Sequence, residues 1–170
     1  DFQVKNTVTN NLMSMLTCGA EEVEAAVERL RDNLKRVNKA NNANKKILFE
    51  YEITDLLNNA PLHNDVRLIK EIFDGRDVAE LRALTNRLIE NKGTVVMFGV
   101  PGEKVSILMA RSDDLKHDMN ALIKHVLPML GNAGGGGRPN FAQGGGVRAD
   151  KTQVEYALQE AERVLFANEA

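Results

Sequence analysis

The chain holds one cysteine, Cys18, in 170 residues. No disulfide framework and no cysteine-rich zinc site can form from it, and a reducing, cytoplasmic setting is expected. No uninterrupted apolar run approaches the roughly 20 residues that a membrane helix needs, so no membrane span is expected. Basic charge is not in excess. Lys and Arg number 22 against 24 Asp and Glu, a formal net charge of -2, which excludes a polybasic surface that grips nucleic acid by charge alone. Any contact with RNA or DNA has to be local. Histidines are few and scattered at His63, His117 and His125; none lies four residues after Cys18, and no metal-ligand spacing results. Tryptophan is absent, and the opening Asp1-Phe2-Gln3 has neither Met nor a leader pattern, so the chain is read as a piece of a longer protein.

Glycine and proline are missing from residues 20–59, and that gap has a positive content. From Glu21 to about Asn59 the sequence reads as one long helix. Glu21, Glu22 and Glu24 place negative charge at the positive end of its dipole. Val23, Val27, Leu30, Leu34 and Val37 follow spacings of four and three, continued through Asn41 and Asn44 to Leu48 and Tyr51. That is a coiled-coil seam with a polar middle, and asparagines on a seam weaken packing while restricting register and partner number. Two readings stand at this point: a dimer contact, or a helix packed along its own chain against residues 4–16. At ~1.5 Å per residue, roughly 39 helical residues span nearly 60 Å, more than a compact domain of this size uses internally.

After Asn58-Asn59-Ala60-Pro61 the pattern shifts to short alternating elements. Val66 to Phe73 reads as a strand. Asp77 with Glu80 makes a capping-box-like start for a helix burying Val78, Leu81, Leu84 and Leu88, stopped near Gly93. Thr94 to Val100 and Val105 to Ala110 form a hairpin around Pro101-Gly102-Glu103-Lys104. A helix follows from about Leu115 to Leu127, ended or kinked by Pro128. The last helix starts at Asp150, capped with Gln153, and buries Val154, Ala157, Leu158, Ala161 and Leu165. The expected architecture is a small α/β domain with a mixed sheet and a glycine-rich loop over residues 61–170, preceded by a long helical, coiled-coil-like arm over residues 1–60.

Eight of the 13 glycines fall between Gly131 and Gly146. Four in a row are not chosen for stability, because each gives up more backbone entropy on folding than any other residue. Two glycine runs bracket Arg138, Asn140, Phe141 and Gln143, which a flexible linker would not carry. Consecutive bare N–H groups can bind an anion, and the planar fork of Arg138 suits phosphate oxygens. Gln143 adds an amide suited to a base edge or a sugar hydroxyl. A phosphate-bearing ligand follows; a loop of close helix–strand packing is the plain alternative.

Gly134-Gly135-Gly136-Gly137-Arg138-Pro139-Asn140-Phe141-Ala142-Gln143-Gly144-Gly145-Gly146 resembles the signature of the DHH-associated domain, in the C-Ala-like form that ends bacterial alanine–tRNA ligases and the long stand-alone alanyl-tRNA editing hydrolases. The resemblance runs from Cys18 to the C-terminus and includes the Arg111-Ser112 step and Asp118-Met119-Asn120. Two departures stand out. Asn140-Phe141 replaces the usual Asp-Met, and a Lys that the ligases carry just before the glycine run is missing. The missing Lys and the intact second triplet tilt the reading towards the hydrolase.

The resemblance implies an RNA-binding module for tRNA, in particular tRNA(Ala), that can also pair two subunits into a homodimer. It assigns the contact to Gly134, Gly135, Gly136, Gly137, Arg138, Asn140, Gln143, Gly144, Gly145, Gly146 and Arg111, with no catalytic residue and no cofactor in this segment. It further implies that clearance of mischarged tRNA(Ala) is carried by zinc held elsewhere, in a His-x-x-x-His and Cys-x-x-x-His set of which this chain has none. Two other functions compete with it. One is the substrate-binding half of a DHH-type phosphoesterase, which would need an Asp-His-His triplet from elsewhere. The other is a purely structural assembly element.

Overall fold

The computed structural model describes residues 2–167, with the side chains of residues 2–4 left aside. Asp1, where the expected fragment opens, and residues 168–170, where the expected second domain ends, lie outside the described residues. Two compact units meet in sequence between Glu50 and Tyr51.

The first unit is helical. Helix α1 (Phe2–Leu16) ends at Thr17, whose left-handed φ of 51° breaks the run. A 3-10 turn over Ala20–Glu22 leads into α2 (Val23–Asn59). The Gly19 N–H donates to the Glu22 carboxylate at 3.2 Å, and Glu24 occupies the first turn, as the dipole argument requires. Along α2 the seam is uncovered: Val27, Leu30, Leu34 and Val37 are 46%, 61%, 61% and 55% exposed. Val8, Leu12 and Met15 of α1 are exposed as well, so α1 does not shield the stripe.

The second unit is a mixed α/β layer structure. Its sheet comprises β1 (Leu62–His63), β2 (Val66–Ile72), β3 (Thr94–Val100), β4 (Ser106–Arg111), β5 (Gly134–Arg138) and β6 (Phe141–Gly145), in the order β1-β2-β3-β4-β6-β5. Helices α3 (Val78–Leu88), α4 (Met119–Val126) and α5 (Lys151–Phe166) cover it. Only β2 and β3 run parallel, joined by α3; every other pairing is antiparallel. Every residue of β3 is buried, which is why it reads as a continuous apolar run rather than an alternating one. Val95 and Met97 join a core with Met109, Ile123, Val154 and Leu158 under α4 and α5. The intervening Val96 and Phe98 point to the opposite face by strand alternation, where α3 packs on β3 and β4 and buries Leu81, Leu84 and Leu88. The last turns of α2 belong to this unit: Glu52 forms an ion pair with Arg76, whose guanidinium lies 4.9 Å from the Phe73 ring centroid. No described helix is long and apolar enough to cross a membrane.

Two local expectations need correcting, one holds in a modified form, and one element adds to them. Helix α4 starts at Met119, not near Leu115, because the Asp118 carboxylate accepts the Asn120 and Ala121 N–H groups at 2.9 and 3.0 Å and fixes the first turn there. Pro128 marks the end of α4, as expected, by sitting in the first turn of a 3-10 segment over Leu127–Leu130, where its missing N–H costs nothing. Asp77 precedes α3 but its side chain makes no capping bond; Glu80 is drawn to Arg76 instead, with Nε and Oε2 3.7 Å apart. The short hairpin β1–β2 was not signalled by alternation. It rests on Asn64 and Asp65, both at positive φ, the geometry that a two-residue primed turn demands.

Leu84 is fully buried between α3 and the sheet. Leu84→Ala is expected to lower the unfolding free energy by about 2–5 kcal/mol, read from the urea midpoint at unchanged slope.

Candidate functional site

The glycine-rich stretch is two strands, not a loop. β6 pairs with β4 on one side and with β5 on the other, and β5 forms the outer edge of the sheet. Glycine is a poor strand former, so propensity does not account for this. Closeness does. A Cβ on Gly135 would stand 2.3 Å from the Gly144 Cα, and one on Gly137 would stand 2.3 Å from the Phe141 carbonyl oxygen. Gly145 combines a φ of +143° with a Cβ position 1.9 Å from the Val105 carbonyl oxygen, and a Cβ on Gly144 would meet Leu127 at 2.7 Å. Backbone packs on backbone where any other residue would put a methyl group.

The tip of the hairpin is pinned from both sides. The Pro139 carbonyl accepts the Met119 N–H at 2.9 Å, and the Asn140 carbonyl accepts the Arg111 N–H at 3.0 Å. Gly137 donates its N–H to Asn120 Oδ1 at 2.9 Å, and Gly146 donates to the Val105 carbonyl at 2.9 Å. These backbone donors are spent inside the fold. The glycines thus stand in a paired sheet edge rather than in an open loop, and side chains are held along that edge.

Those side chains face α3 across an open groove of about 690 Å³. Gly136, Gly137, Arg138, Asn140, Phe141 and Gln143 contribute one wall. Arg82, Asn86 and Ile89 contribute the other. Among the described residues no Asp or Glu lines it. Phe141 and Gln143 are two apart on one strand and so share a face. Arg82 Nε donates to Gln143 Oε1 at 2.7 Å, and Gln143 Nε2 lies 3.4 Å from Ser106 Oγ. Arg138 is exposed at the tip. Two guanidinium groups, three amides and one aromatic ring with no opposing carboxylate suit an anionic ligand that also offers flat rings and hydrogen-bond acceptors.

Of the residues assigned from sequence, the groove brings together Gly136, Gly137, Arg138, Asn140 and Gln143. Gly134, Gly135, Gly144, Gly145 and Gly146 do not line it; at 135, 144 and 145 the glycines permit the strand contacts just described. Arg111 lies outside it too, its Nε donating to the His117 carbonyl at 2.7 Å and its Nη1 to the Ser112 carbonyl at 3.0 Å, which ties down the segment before α4. Arg82 and Asn86 were missed. Their spacing of four places them on the polar side of α3, away from the apolar positions Leu81, Leu84 and Leu88 that signal the helix. Among the described residues no group of three His, Cys, Asp or Glu side chains comes together to hold a metal ion. His125 faces Glu160, His63 stacks near Phe166, and Cys18 is a half-exposed free thiol.

Residues 65–166 match the family model of the DHHA1 domain. The chain is 30% identical over 162 residues to an alanine–tRNA ligase of Methanococcoides burtonii, covering 94% of this chain and 17% of the ligase. It is 32% identical over 167 residues to an alanine–tRNA ligase of Desulforudis audaxviator, covering 95% of this chain and 19% of the ligase. The chain thus spans less than a fifth of the length of these curated relatives. Among solved structures, the C-Ala domain from Aquifex aeolicus alanyl-tRNA synthetase superposes with a TM-score of 0.55 at 29% identity, covering 63% of this chain and 97% of that one. RecJ from Thermus thermophilus superposes with a TM-score of 0.53 at 17% identity, over 88% of this chain and 20% of RecJ, a likeness of fold alone.

The backbone contacts separate two glycines that look alike in sequence. A Cβ on Gly134 meets nothing within 4 Å, whereas one on Gly145 collides with Val105. Gly145→Ala is expected to cost about 1–3 kcal/mol of stability, and Gly134→Ala to stay within about 0.5 kcal/mol of the parent, both by denaturant titration.

Proposed function

This chain belongs to the DHHA1 domain family, and from that premise we propose that it is the tRNA-binding C-terminal domain of a protein that acts on tRNA(Ala). The observation that carries the proposal is the carboxylate-free groove between α3 and the glycine hairpin, with Arg82, Arg138 and Gln143 on its walls. Such a groove offers a backbone phosphate two planar forks and offers an unstacked base a ring and an amide. The likeness to the C-Ala domain of an alanyl-tRNA synthetase and the names of the ligase relatives support tRNA as the nucleic acid. They also weigh the parent towards an alanine–tRNA ligase, against the tilt towards an editing hydrolase drawn from the missing Lys. We place any zinc-dependent clearing of mischarged tRNA outside these residues, and we place the protein in the cytoplasm, where its substrate is.

The same proposal gives α2 a partner. Its uncovered stripe from Val27 to Leu48, interrupted by Asn41 and Asn44, is a surface for the matching helix of a second copy. The asparagines restrict which alignments keep polar groups opposite one another.

With a net charge of -2 the whole chain repels a polyanion slightly, so affinity rests on few phosphate contacts. Arg138→Ala is expected to weaken binding of a tRNA(Ala) transcript roughly 5–20-fold and to reduce the salt dependence by about one phosphate equivalent in a filter-binding series. Equal affinity of parent and variant at all salt concentrations would remove the groove as the contact. Sedimentation equilibrium is expected to give a dimer that Leu34→Glu converts to a monomer; a monomeric parent would remove the second copy.

A further inference from the structure

Gln143 stands in the groove with its amide already half committed. An amide side chain ordinarily presents both a donor and an acceptor, and its two faces can exchange by a half-turn. Here the half-turn is blocked by chemistry. Arg82 Nε, 2.7 Å away, has a proton to give and no lone pair to receive one, so Gln143 must turn its Oε1 towards it. The NH2 group is thereby directed away from Arg82, towards the side where Ser106 Oγ lies at 3.4 Å, a distance too long to occupy it fully.

From this we infer that Arg82 is a specificity-determining residue, which fixes Gln143 as a hydrogen-bond donor and makes the groove prefer keto bases over amino bases. The inference rests on the reading of the groove as an RNA contact. A free glutamine can grip adenine through N6 and N7 at once, giving one bond and taking another. With one lone pair of Oε1 held by Arg82 and the guanidinium charge beside the other, a base N–H approaching Oε1 meets a donor already in place, and the accepting half of that grip is weakened. An amide that chiefly donates meets two acceptors at the O6 and N7 of guanine and one at the O4 of uracil, whereas on the same edge adenine offers N7 beside an opposing amino group and cytosine offers the amino group alone. The ring to stack such a base is at hand. Phe141 sits two residues before Gln143 on the same strand face, about 7 Å along the strand, so a base lying on the ring brings its edge to the amide. Arg138 and the remaining N–H groups of Arg82 are donors as well. Asn86 and Asn140 are not fixed in this way, so the discrimination is carried by Gln143.

The test uses the whole chain with two fluorescein-labelled RNA octamers, (GU)4 and (AC)4, and an unlabelled tRNA(Ala) transcript as competitor, all in low salt. The parent is expected to bind (GU)4 roughly 5–20-fold more tightly than (AC)4, the range of one to two base-edge hydrogen bonds. Arg82→Leu, which keeps the apolar stem but frees Oε1, is expected to bring that ratio to within about twofold of unity, while Arg82→Lys, which can still donate to Oε1, keeps it. Gln143→Leu is expected to abolish the preference without abolishing competition by the transcript. A parent that binds the transcript but shows equal affinity for the two octamers would overturn the inference and leave the RNA contact standing. So would a ratio unchanged in Arg82→Leu or in Gln143→Leu. Failure of the parent to bind the transcript at all would take the RNA contact away, and this assignment with it.

Discussion

Backbone lies directly on backbone at the outer edge of the sheet, where a methyl group at position 145 would stand 1.9 Å from the Val105 carbonyl oxygen and one at position 135 would stand 2.3 Å from the Gly144 Cα. Everything that makes the groove depends on that contact. It lets β5 and β6 extend the sheet past β4, and with the bonds from Arg111 and Met119 it holds the Pro139-Asn140 tip still. A still tip is what allows Arg138 and Gln143 to face α3 at a defined separation. Glycine's entropy cost is incurred for proximity here, with the flexibility of the free residue removed by pairing on both sides of β6.

The electrostatic arrangement follows from the same edge. The chain as a whole is slightly acidic, yet the groove has two arginines and no carboxylate among its lining residues. Several acidic side chains elsewhere have partners of their own: Glu52 is paired with Arg76 and Glu162 with Lys70, while Glu160 is held by Arg163 and His125, which together lower its carboxyl to about 2. Local positive character therefore survives a negative total. It is carried by groups that Coulombic attraction alone does not position, since Arg82 is fixed by a hydrogen bond to Gln143 across 61 residues of sequence.

Much of this was legible in the sequence, and the part that was not has a physical reason. The long helix, the β3–β4 hairpin and the Asp150–Gln153 cap were readable because each is set by neighbours in the chain: a seam repeat, a turn between apolar runs, a carboxylate three residues from an amide partner. The glycine strands were not. Their stability comes from contacts with Val105, Ser106 and Leu127, which are distant in sequence, and nothing in a run of glycines distinguishes a strand from a loop. Arg138, Asn140 and Gln143 could be picked out because the glycines frame them. Arg82 could not, because its role exists only through the fold that brings α3 beside β6. The start of α4 failed for a smaller reason: apolar spacing extends to Leu115, and the choice of Asp118 as cap is a competition among nearby carboxylates that periodicity does not weigh.

Native-state amide hydrogen exchange across residues 134–146 tests most directly whether these glycines build a sheet edge. The account predicts that amides of β6, and that of Gly137 bonded to Asn120, exchange more than ~100-fold slower than in a free peptide of the same sequence, rising and falling with the stability of the unit as a whole. Exchange at free-peptide rates throughout 134–146, with β3 and β4 still protected, would show an open glycine loop and would contradict it.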